Sequence, residues 1–176
     1  MHGIDDSRKF KPVRIAVLTV TDSRTAATDT SGDLLASRVK DAGHILAARD
    51  LVADDPQIIA ATVSAWITDP SVEVVISTGG TGLTGRDVTP EAIRPLFEKE
   101  IEGFSVIFHQ VSFQSVGLST LQSRATAGLA NGTFIFALPG SNGAVKDGWD
   151  KVISHQLDSR HGPCNLVELM PRLMEK

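Results

Sequence analysis

The residues best suited to chemistry concentrate in one stretch, Ser77-Thr78-Gly79-Gly80-Thr81-Gly82-Leu83-Thr84-Gly85-Arg86-Asp87-Val88-Thr89-Pro90-Glu91. Its glycines let the backbone take positive φ and let a ligand approach the main chain. A β-branched apolar run, Val72-Glu73-Val74-Val75-Ile76, precedes it and predicts a buried strand. A helix start closes it, with Thr89 expected as N-cap and Pro90 at the first helical position. Strand, glycine loop and helix N-terminus together favour anions, phosphate above all. Residues 80–85 fit the letters G-x-G-x-x-G, but the helix start is delayed to Thr89 and no acid closes a following strand, as a dinucleotide fold requires. Residues 80–87 nearly fit the P-loop, yet Arg86 stands at the lysine position and Asp87 at the metal-binding hydroxyl. The loop therefore reads as a phosphate cradle of another kind, with its own cation, Arg86, and its own candidate metal ligand, Asp87.

Other candidates lie where strands are expected to end. Asp54 follows one such strand, and with Asp87 it can face a single pocket; Mg²⁺ binds through one or two carboxylates plus substrate phosphates. Asp55 precedes Pro56 and is accounted for as a helix N-cap. Thr21-Asp22-Ser23-Arg24 leaves an apolar run at the ligand-binding edge of a parallel sheet, but reads equally well as a turn-rich surface loop. Ser123-Arg124, in a segment of small residues, reads by itself as a solvated arginine. Pro139-Gly140-Ser141-Asn142-Gly143 is a second strand–glycine–helix junction, where Ser141 or Asn142 serves as N-cap and the amides offer a second place for phosphate. It does not match the G-x-S-x-G elbow of serine hydrolases. The histidines at 2, 44, 109, 155 and 161 have no paired spacing and none adjoins the cysteine, which argues against zinc.

The elements that must position these residues alternate. Arg14-Ile15-Ala16-Val17-Leu18-Thr19-Val20 predicts a strand buried on both faces. A helix follows, with Thr30 and Asp33 spaced as a capping box, Leu34, Leu35, Val39 and Ala42 inward, and Gly43 as its stop. A less regular strand over residues 45–52 leads to a helix whose inward face is expected to be Ile58, Ile59, Thr62, Val63, Trp66 and Ile67. A bent helix follows Thr89, then a helical pattern over residues 101–113, then a small-residue stretch over 117–130 with no assigned element. Thr133-Phe134-Ile135-Phe136-Ala137-Leu138 predicts another buried strand, and a helix follows it. The β-α-β-α-β order predicts a three-layer α/β/α sandwich with a mostly parallel sheet. Residues 1–12 are expected to form a flexible tail and residues 13–176 a single domain.

Composition bounds the rest. Of the 176 residues, 41% are hydrophobic and 22% charged, as in ordinary globular chains, and the net charge of −4 argues against a nucleic-acid surface. No run approaches a membrane span, and the polar N-terminus lacks a signal core. The lone Cys164 allows no internal disulfide and is expected to be packed, so a cytoplasmic setting is expected. The apolar residues of segment 166–174 are expected to pack on the domain or on another subunit.

Ile76-Ser77-Thr78-Gly79-Gly80-Thr81-Gly82 with Arg86-Asp87-Val88-Thr89-Pro90-Glu91-Ala92 resembles the signature of the MoaB/MogA family of molybdenum-cofactor biosynthesis proteins, most closely its MoaB branch. The resemblance continues through Thr19-Val20-Thr21-Asp22-Ser23-Arg24, Asp29-Thr30-Ser31-Gly32, Leu121-Gln122-Ser123-Arg124-Ala125, Ala137-Leu138-Pro139-Gly140-Ser141 and Gln156-Leu157-Asp158-Ser159-Arg160. It implies Mg²⁺-dependent adenylyl transfer from ATP, the co-substrate, to molybdopterin; the alternative is a non-catalytic molybdopterin- or nucleotide-binding protein of that pathway. It implies that Asp54 and Asp87 hold Mg²⁺ and that Ser77, Gly79, Gly80, Thr81 and Gly82 bind phosphate. It places Asp22, Ser23, Ser123 and Arg124 in the pterin or nucleotide pocket, with Pro139, Gly140, Ser141 and Asn142 as the opposite lip. A homo-oligomer, trimer or dimer of trimers, is also implied, with contacts to other pathway proteins. One departure is Ala53, where the family more often has proline; the carboxylate after it is kept.

Overall fold

Residues 3–175 are described by a computed structural model. The chain runs β1 (Gly3–Ile4), β2 (Arg14–Val20), α1 (Thr30–Asp41), β3 (Ile45–Val52), α2 (Pro56–Ile67), β4 (Val74–Thr78), α3 (Thr89–Ile93), β5 (Lys99–Glu100), α4 (Glu102–Val116), β6 (Thr126–Ala130), β7 (Thr133–Leu138), α5 (Asn142–Gly148), α6 (Ser154–Leu157) and β8 (His161–Gly162). A π-helical turn, Trp149–Ile153, joins α5 to α6.

Six strands form the main sheet in the order β3-β2-β4-β7-β6-β5. The first four are mutually parallel, and β6 and β5 add antiparallel at one edge. Along β2 the side chains alternate between two cores, as the two-residue period of a strand demands. Ile15 and Val17 face a core closed by Leu35 and Val39 of α1, Phe104 and Phe108 of α4, and Trp149 and Ile153. Ala16, Leu18 and Val20 face the other, closed by Ile59 and Val63 of α2 and by Ala92 and Ile93 of α3. This is the expected three-layer sandwich. Burying an aliphatic side chain of this kind stabilises by about 1.5–3 kcal/mol, which is why the helices are fixed to the sheet at these positions. No helix of the described residues is long and apolar enough to cross a membrane.

Several expectations are corrected. The small-residue stretch contains β6, which is fully buried. It forms because the chain reverses at Asn131-Gly132, both at positive φ (45° and 77°), and lays β6 on β7. An Asn-Gly pair between apolar runs is a strong hairpin signal, and it was the cue available in the sequence. Helix α1 is capped by Asp29, whose side chain accepts from the Gly32 amide, rather than by Thr30. Thr89 is the first residue of α3, not its cap; its hydroxyl donates back to the Gly79 carbonyl (2.9 Å). Where a free tail was expected, Gly3–Ile4 pair with His161–Gly162, and Phe10 packs on the buried His44 ring. Cys164 is exposed rather than packed. The C-terminal segment packs on the domain through Leu166, Val167, Met170 and Leu173.

Candidate functional site

All four parallel strands end at the same edge of the sheet: Thr19 pairs with Thr78, Thr78 with Leu138, and Val20 with Val52. The loops that leave this edge enclose a cleft of about 470 Å³. Ligands of open α/β sheets bind at such an edge. The cleft brings together Asp22, Ser23, Asp54, Gly79, Gly80, Thr81, Gly82, Asp87, Ser123, Pro139, Gly140 and Ser141, which are far apart in sequence. Ser77, Arg124 and Asn142, also expected at the site, do not line it.

Ser77 is buried in β4 and donates to the Phe136 carbonyl, so it belongs to the sheet. Asn142 opens α5, while the preceding Ser141 caps that helix by accepting from the Ala144 amide (3.1 Å). Arg124 braces the glycine loop from behind. Its Nε donates to the Gly82 carbonyl (2.8 Å), an Nη to the Asp87 carbonyl (2.7 Å), and the group pairs with Glu91 of α3. It is neither a solvated arginine nor a pocket wall. A partner set so scattered in sequence left no local signal.

The glycine loop is fixed by close approach. Gly79 has φ +110°, and a Cβ there would lie 2.1 Å from the Val20 carbonyl oxygen. Its amide donates to the Leu138 carbonyl (3.0 Å), which removes it from the expected phosphate cradle. Gly80 has φ +63°, and its carbonyl accepts from the Thr89 amide (2.9 Å). The Gly80 and Thr81 amides donate to no acceptor among the described residues. The Thr81 hydroxyl, in a residue only 2% exposed, and the buried Ser123 hydroxyl also have no partner. Buried polar atoms left unpaired are costly, so two of them on one cleft wall indicate a ligand that completes them.

The two carboxylates flank this loop. Asp54 and Asp22 form a reciprocal pair: Asp54 Oδ2 accepts from the Asp22 amide (2.9 Å) and Asp22 Oδ1 from the Asp54 amide (3.0 Å). Burial raises the Asp54 pKa, and the negative charges of Asp22 and Asp87 add to that, against the Asp22 amide and the Arg86 charge. Asp87 Oδ2 accepts from the Thr84 amide (2.8 Å) and hydroxyl (2.6 Å). Burial works against ionisation there too, but the Thr84 hydroxyl and amide, the nearby Gly82 amide and the Arg124 charge outweigh it and hold the carboxyl below its ordinary range. Each carboxylate keeps one oxygen, Oδ1, free of hydrogen bonds among the described residues. The described residues contain no group of three or more His, Cys, Asp or Glu able to hold a metal. Two carboxylates with one free oxygen each are too few to enclose a metal ion by themselves; a hard cation held here would need further oxygen donors from a ligand.

The cleft wall holds further residues that sequence reasoning gave no role. Arg24 was visible in the Thr21–Arg24 string, and the structure turns it inward to donate to the Ser31 hydroxyl (2.8 Å) and the Gly140 carbonyl (3.3 Å). Ser119 and Gln122 come from a 3₁₀ turn, Gly117–Gln122, that the sequence reading left unassigned.

Residues 16–159 match the model of the probable molybdopterin binding domain family. The chain is 50% identical over 159 residues to the Molybdenum cofactor biosynthesis protein B of Escherichia coli K12, an alignment covering 90% of this chain and 94% of that one. It is 44% identical to the protein of the same name from Bacillus subtilis, over 82% of this chain and 86% of that one. Among solved structures, one described as Molybdenum cofactor biosynthesis protein B superposes with a TM-score of 0.86 at 36% identity, covering 96% of this chain and 100% of that one. The tungsten cofactor synthesizing protein MoaB from Pyrococcus furiosus superposes with a TM-score of 0.76 at 32% identity, over 94% and 99% of the two chains. With its glycine loop, its flanking carboxylates and these relatives, the chain belongs to the MoaB/MogA family of molybdenum cofactor biosynthesis proteins.

Proposed function

We propose that this chain acts in molybdenum cofactor biosynthesis by transferring AMP from ATP to molybdopterin, giving adenylylated molybdopterin and pyrophosphate. The observation that carries the reading is the set of unsatisfied groups on one cleft: the Gly80 and Thr81 amides, the Thr81 and Ser123 hydroxyls, and one oxygen each of Asp54 and Asp87. In the reaction a molybdopterin phosphate oxygen attacks the α-phosphorus of ATP. The bond from that phosphorus to the bridging oxygen breaks, and its electron pair leaves with pyrophosphate. Little proton transfer is needed, so the protein's part is to position the two phosphates and neutralise charge. The free amides of the loop donate to phosphate oxygens, and Arg24 and Arg86 supply positive charge. Asp54 and Asp87 would hold Mg²⁺, which when bound screens the polyphosphate charge.

A second reading, binding without catalysis, draws support from the structural duties of both carboxylates: Asp87 ties its own loop through Thr84, and Asp54 ties β3 to the loop after β2. One experiment separates them. The chain is incubated with ATP, Mg²⁺ and molybdopterin, and pyrophosphate is measured; release above a blank lacking molybdopterin supports transfer, and binding of both ligands without release supports the second reading. We further propose a cytoplasmic homo-oligomer, trimer or hexamer. Val106, Phe113, Val116, Leu118 and Leu121 are at least half exposed along α4 and the turn after it, an apolar surface suited to a second copy. Sedimentation equilibrium giving a monomer at micromolar concentration would overturn that part.

A further inference from the structure

Among the described residues every arginine but two lies within ion-pair distance of a carboxylate. The two are Arg24 and Arg86, and both line the cleft. A guanidinium is always charged and carries five donors. Left without a counter-charge in a cleft wall, it is suited to an incoming anion.

The two arginines serve opposite sides of the sheet edge. Arg24 is held by Ser31 of α1 and by Gly140, just ahead of α5, and these two helices pack on the same core through Leu35 and Val145. Arg86 lies in the loop running to α3, next to Asp87, and lines the same cleft as Asp54 at the mouth of α2. Helices α2 and α3 pack on the other core.

The surroundings differ in charge. Both partners of Arg24 are neutral oxygens. Asp29 is reached from it only through the Ser31 hydroxyl (3.5 Å), and that carboxylate is already met by Arg49 (2.9 Å) and the Thr19 hydroxyl (2.6 Å). Asp22 is tied to the Asp54 side by its amide and by Oδ1, which accepts from the Asp54 amide, and it is in no ion pair with Arg24. Arg86, in contrast, shares its side with the Asp54 and Asp87 carboxylates. That side repels an uncomplexed phosphate and accepts a polyphosphate that brings a divalent cation. The Arg24 side needs no cation to accept a phosphate dianion.

We propose that Arg24 binds the phosphate monoester of the pterin substrate without a metal ion, and that Arg86, with Asp54 and Asp87, marks the side that receives the polyphosphate of the nucleotide. This assignment rests on the adenylyl-transfer reading of the cleft and gives each substrate its end.

Calorimetric titrations of the wild type, Arg24→Gln, Arg24→Lys and Arg86→Gln test it, with molybdopterin in the absence of divalent metal and, separately, with ATP plus Mg²⁺. Arg24→Gln should weaken molybdopterin roughly 10–100-fold, the loss of charge-assisted hydrogen bonds, and leave ATP affinity unchanged. Arg24→Lys keeps the charge but loses the two-pronged fork, so it should recover part of the molybdopterin affinity. Arg86→Gln should weaken ATP and spare molybdopterin. Unchanged molybdopterin affinity in Arg24→Gln overturns the assignment, as does an equal loss of both ligands in both Arg24 variants. Pyrophosphate release is followed in parallel. A wild type that never releases it, with molybdopterin selectively lost in Arg24→Gln, sinks the catalytic reading and keeps the subsite. Normal release in Arg24→Gln with unchanged KM for molybdopterin does the opposite.

Discussion

Gly80→Ala is a direct test of how the glycine loop is held. At φ +63° an added Cβ would lie 2.4 Å from the Thr89 hydroxyl and 3.0 Å from Asp54 Oδ1. Holding alanine in the left-handed region costs about 1–2 kcal/mol. Thr89 must rotate away, which breaks its bond to the Gly79 carbonyl at a cost of about 0.5–1.5 kcal/mol. Alanine also lowers the entropy of the unfolded chain, which offsets about 0.4–1 kcal/mol. The net is roughly 2 kcal/mol, a fall in Tm of about 4–8 °C for a chain of this length. Because the displaced groups border the free amides and Asp54, ATP affinity by calorimetry should fall as well. The decisive arm is a cycle with Thr89→Ala. That change removes the clashing oxygen, so Gly80→Ala in its background should cost only the backbone part. If Gly80→Ala melts within a degree of the wild type and binds ATP normally, the close packing of the loop at position 80 is refuted. If the two substitutions prove additive, Thr89 is not the group that excludes a side chain at position 80.

Four further outcomes are expected. Asp55 caps α2 by accepting from the Gln57 (2.8 Å) and Ile58 (3.1 Å) amides, so Asp55→Ala should lose about 1 kcal/mol and keep turnover, whereas Asp54→Asn should lose Mg²⁺-dependent adenylyl transfer. Since the folded state raises the Asp54 pKa, its ionisation costs stability as pH rises from the ordinary carboxylate value through the folded one; at pH 7 Asp54→Asn should melt no lower than the wild type, and a clear drop in its thermal melt refutes the assignment. Arg124→Ala should weaken ATP binding although Arg124 does not line the cleft, and Arg124→Lys should not rescue it, because a lysine cannot span the Gly82 carbonyl, the Asp87 carbonyl and Glu91 together; calorimetry on both variants checks this. His44 is buried and its Nδ1 accepts from the Val13 amide (3.1 Å); burial lowers its pKa, against the Asp158 charge, so the stability it contributes is full above about pH 6.5 and lost as pH falls through the folded value. Melting curves between pH 5 and 7 should therefore be flatter in His44→Gln than in the wild type.

Legibility followed the range of each interaction. The buried strands 14–20 and 133–138 were readable because burial on both faces makes apolar runs; the strand expected over 72–76 lies two residues later, at 74–78, with Ser77 and Thr78 inside it. The cap at Asp55 was readable because a cap is a bond between near neighbours, here Asp55 to Ile58; at the second junction Ser141 and Asn142 stood open, and Ser141 caps by its bond to Ala144. The Asp29 cap was overlooked because Thr30 stood beside it with an equally plausible spacing to Asp33. Strand β6 went unassigned because Ala127, Gly128 and Ala130 have little strand preference of their own; pairing with β7 decides their conformation. Gly128 itself lies under the Phe97 ring, where a Cβ would come within 2.3 Å, so its smallness serves a close contact that no local pattern reveals. The positive φ anticipated for the loop falls at Gly79 and Gly80. At Gly82 the constraint is different: a Cβ would meet Asp87 Oδ2 at 2.7 Å.

The polar groups around the cleft divide into those consumed by the fold and those left over, and the division does not follow their prominence in the sequence. Gly79 gives its amide to Leu138, Ser77 its hydroxyl to Phe136, and Arg124 its guanidinium to the back of the loop and to Glu91. These three belong to the most recognisable motifs, yet none has a donor facing the cleft. The leftover donors are the amides of Gly80 and Thr81, the hydroxyls of Thr81 and Ser123, and the guanidinium groups of Arg24 and Arg86, neither of which is in an ion pair among the described residues. Donors therefore outnumber acceptors on this wall, and three carboxylate oxygens, one each on Asp22, Asp54 and Asp87, have no hydrogen-bond partner among the described residues. An anion with many oxygens, accompanied by a cation at the carboxylate side, satisfies that inventory; a neutral ligand would leave both arginines unpaired and a ligand without a cation would leave Asp54 and Asp87 opposing it. This is the physical ground for reading the edge of the sheet as a site for phosphates, independent of any relative.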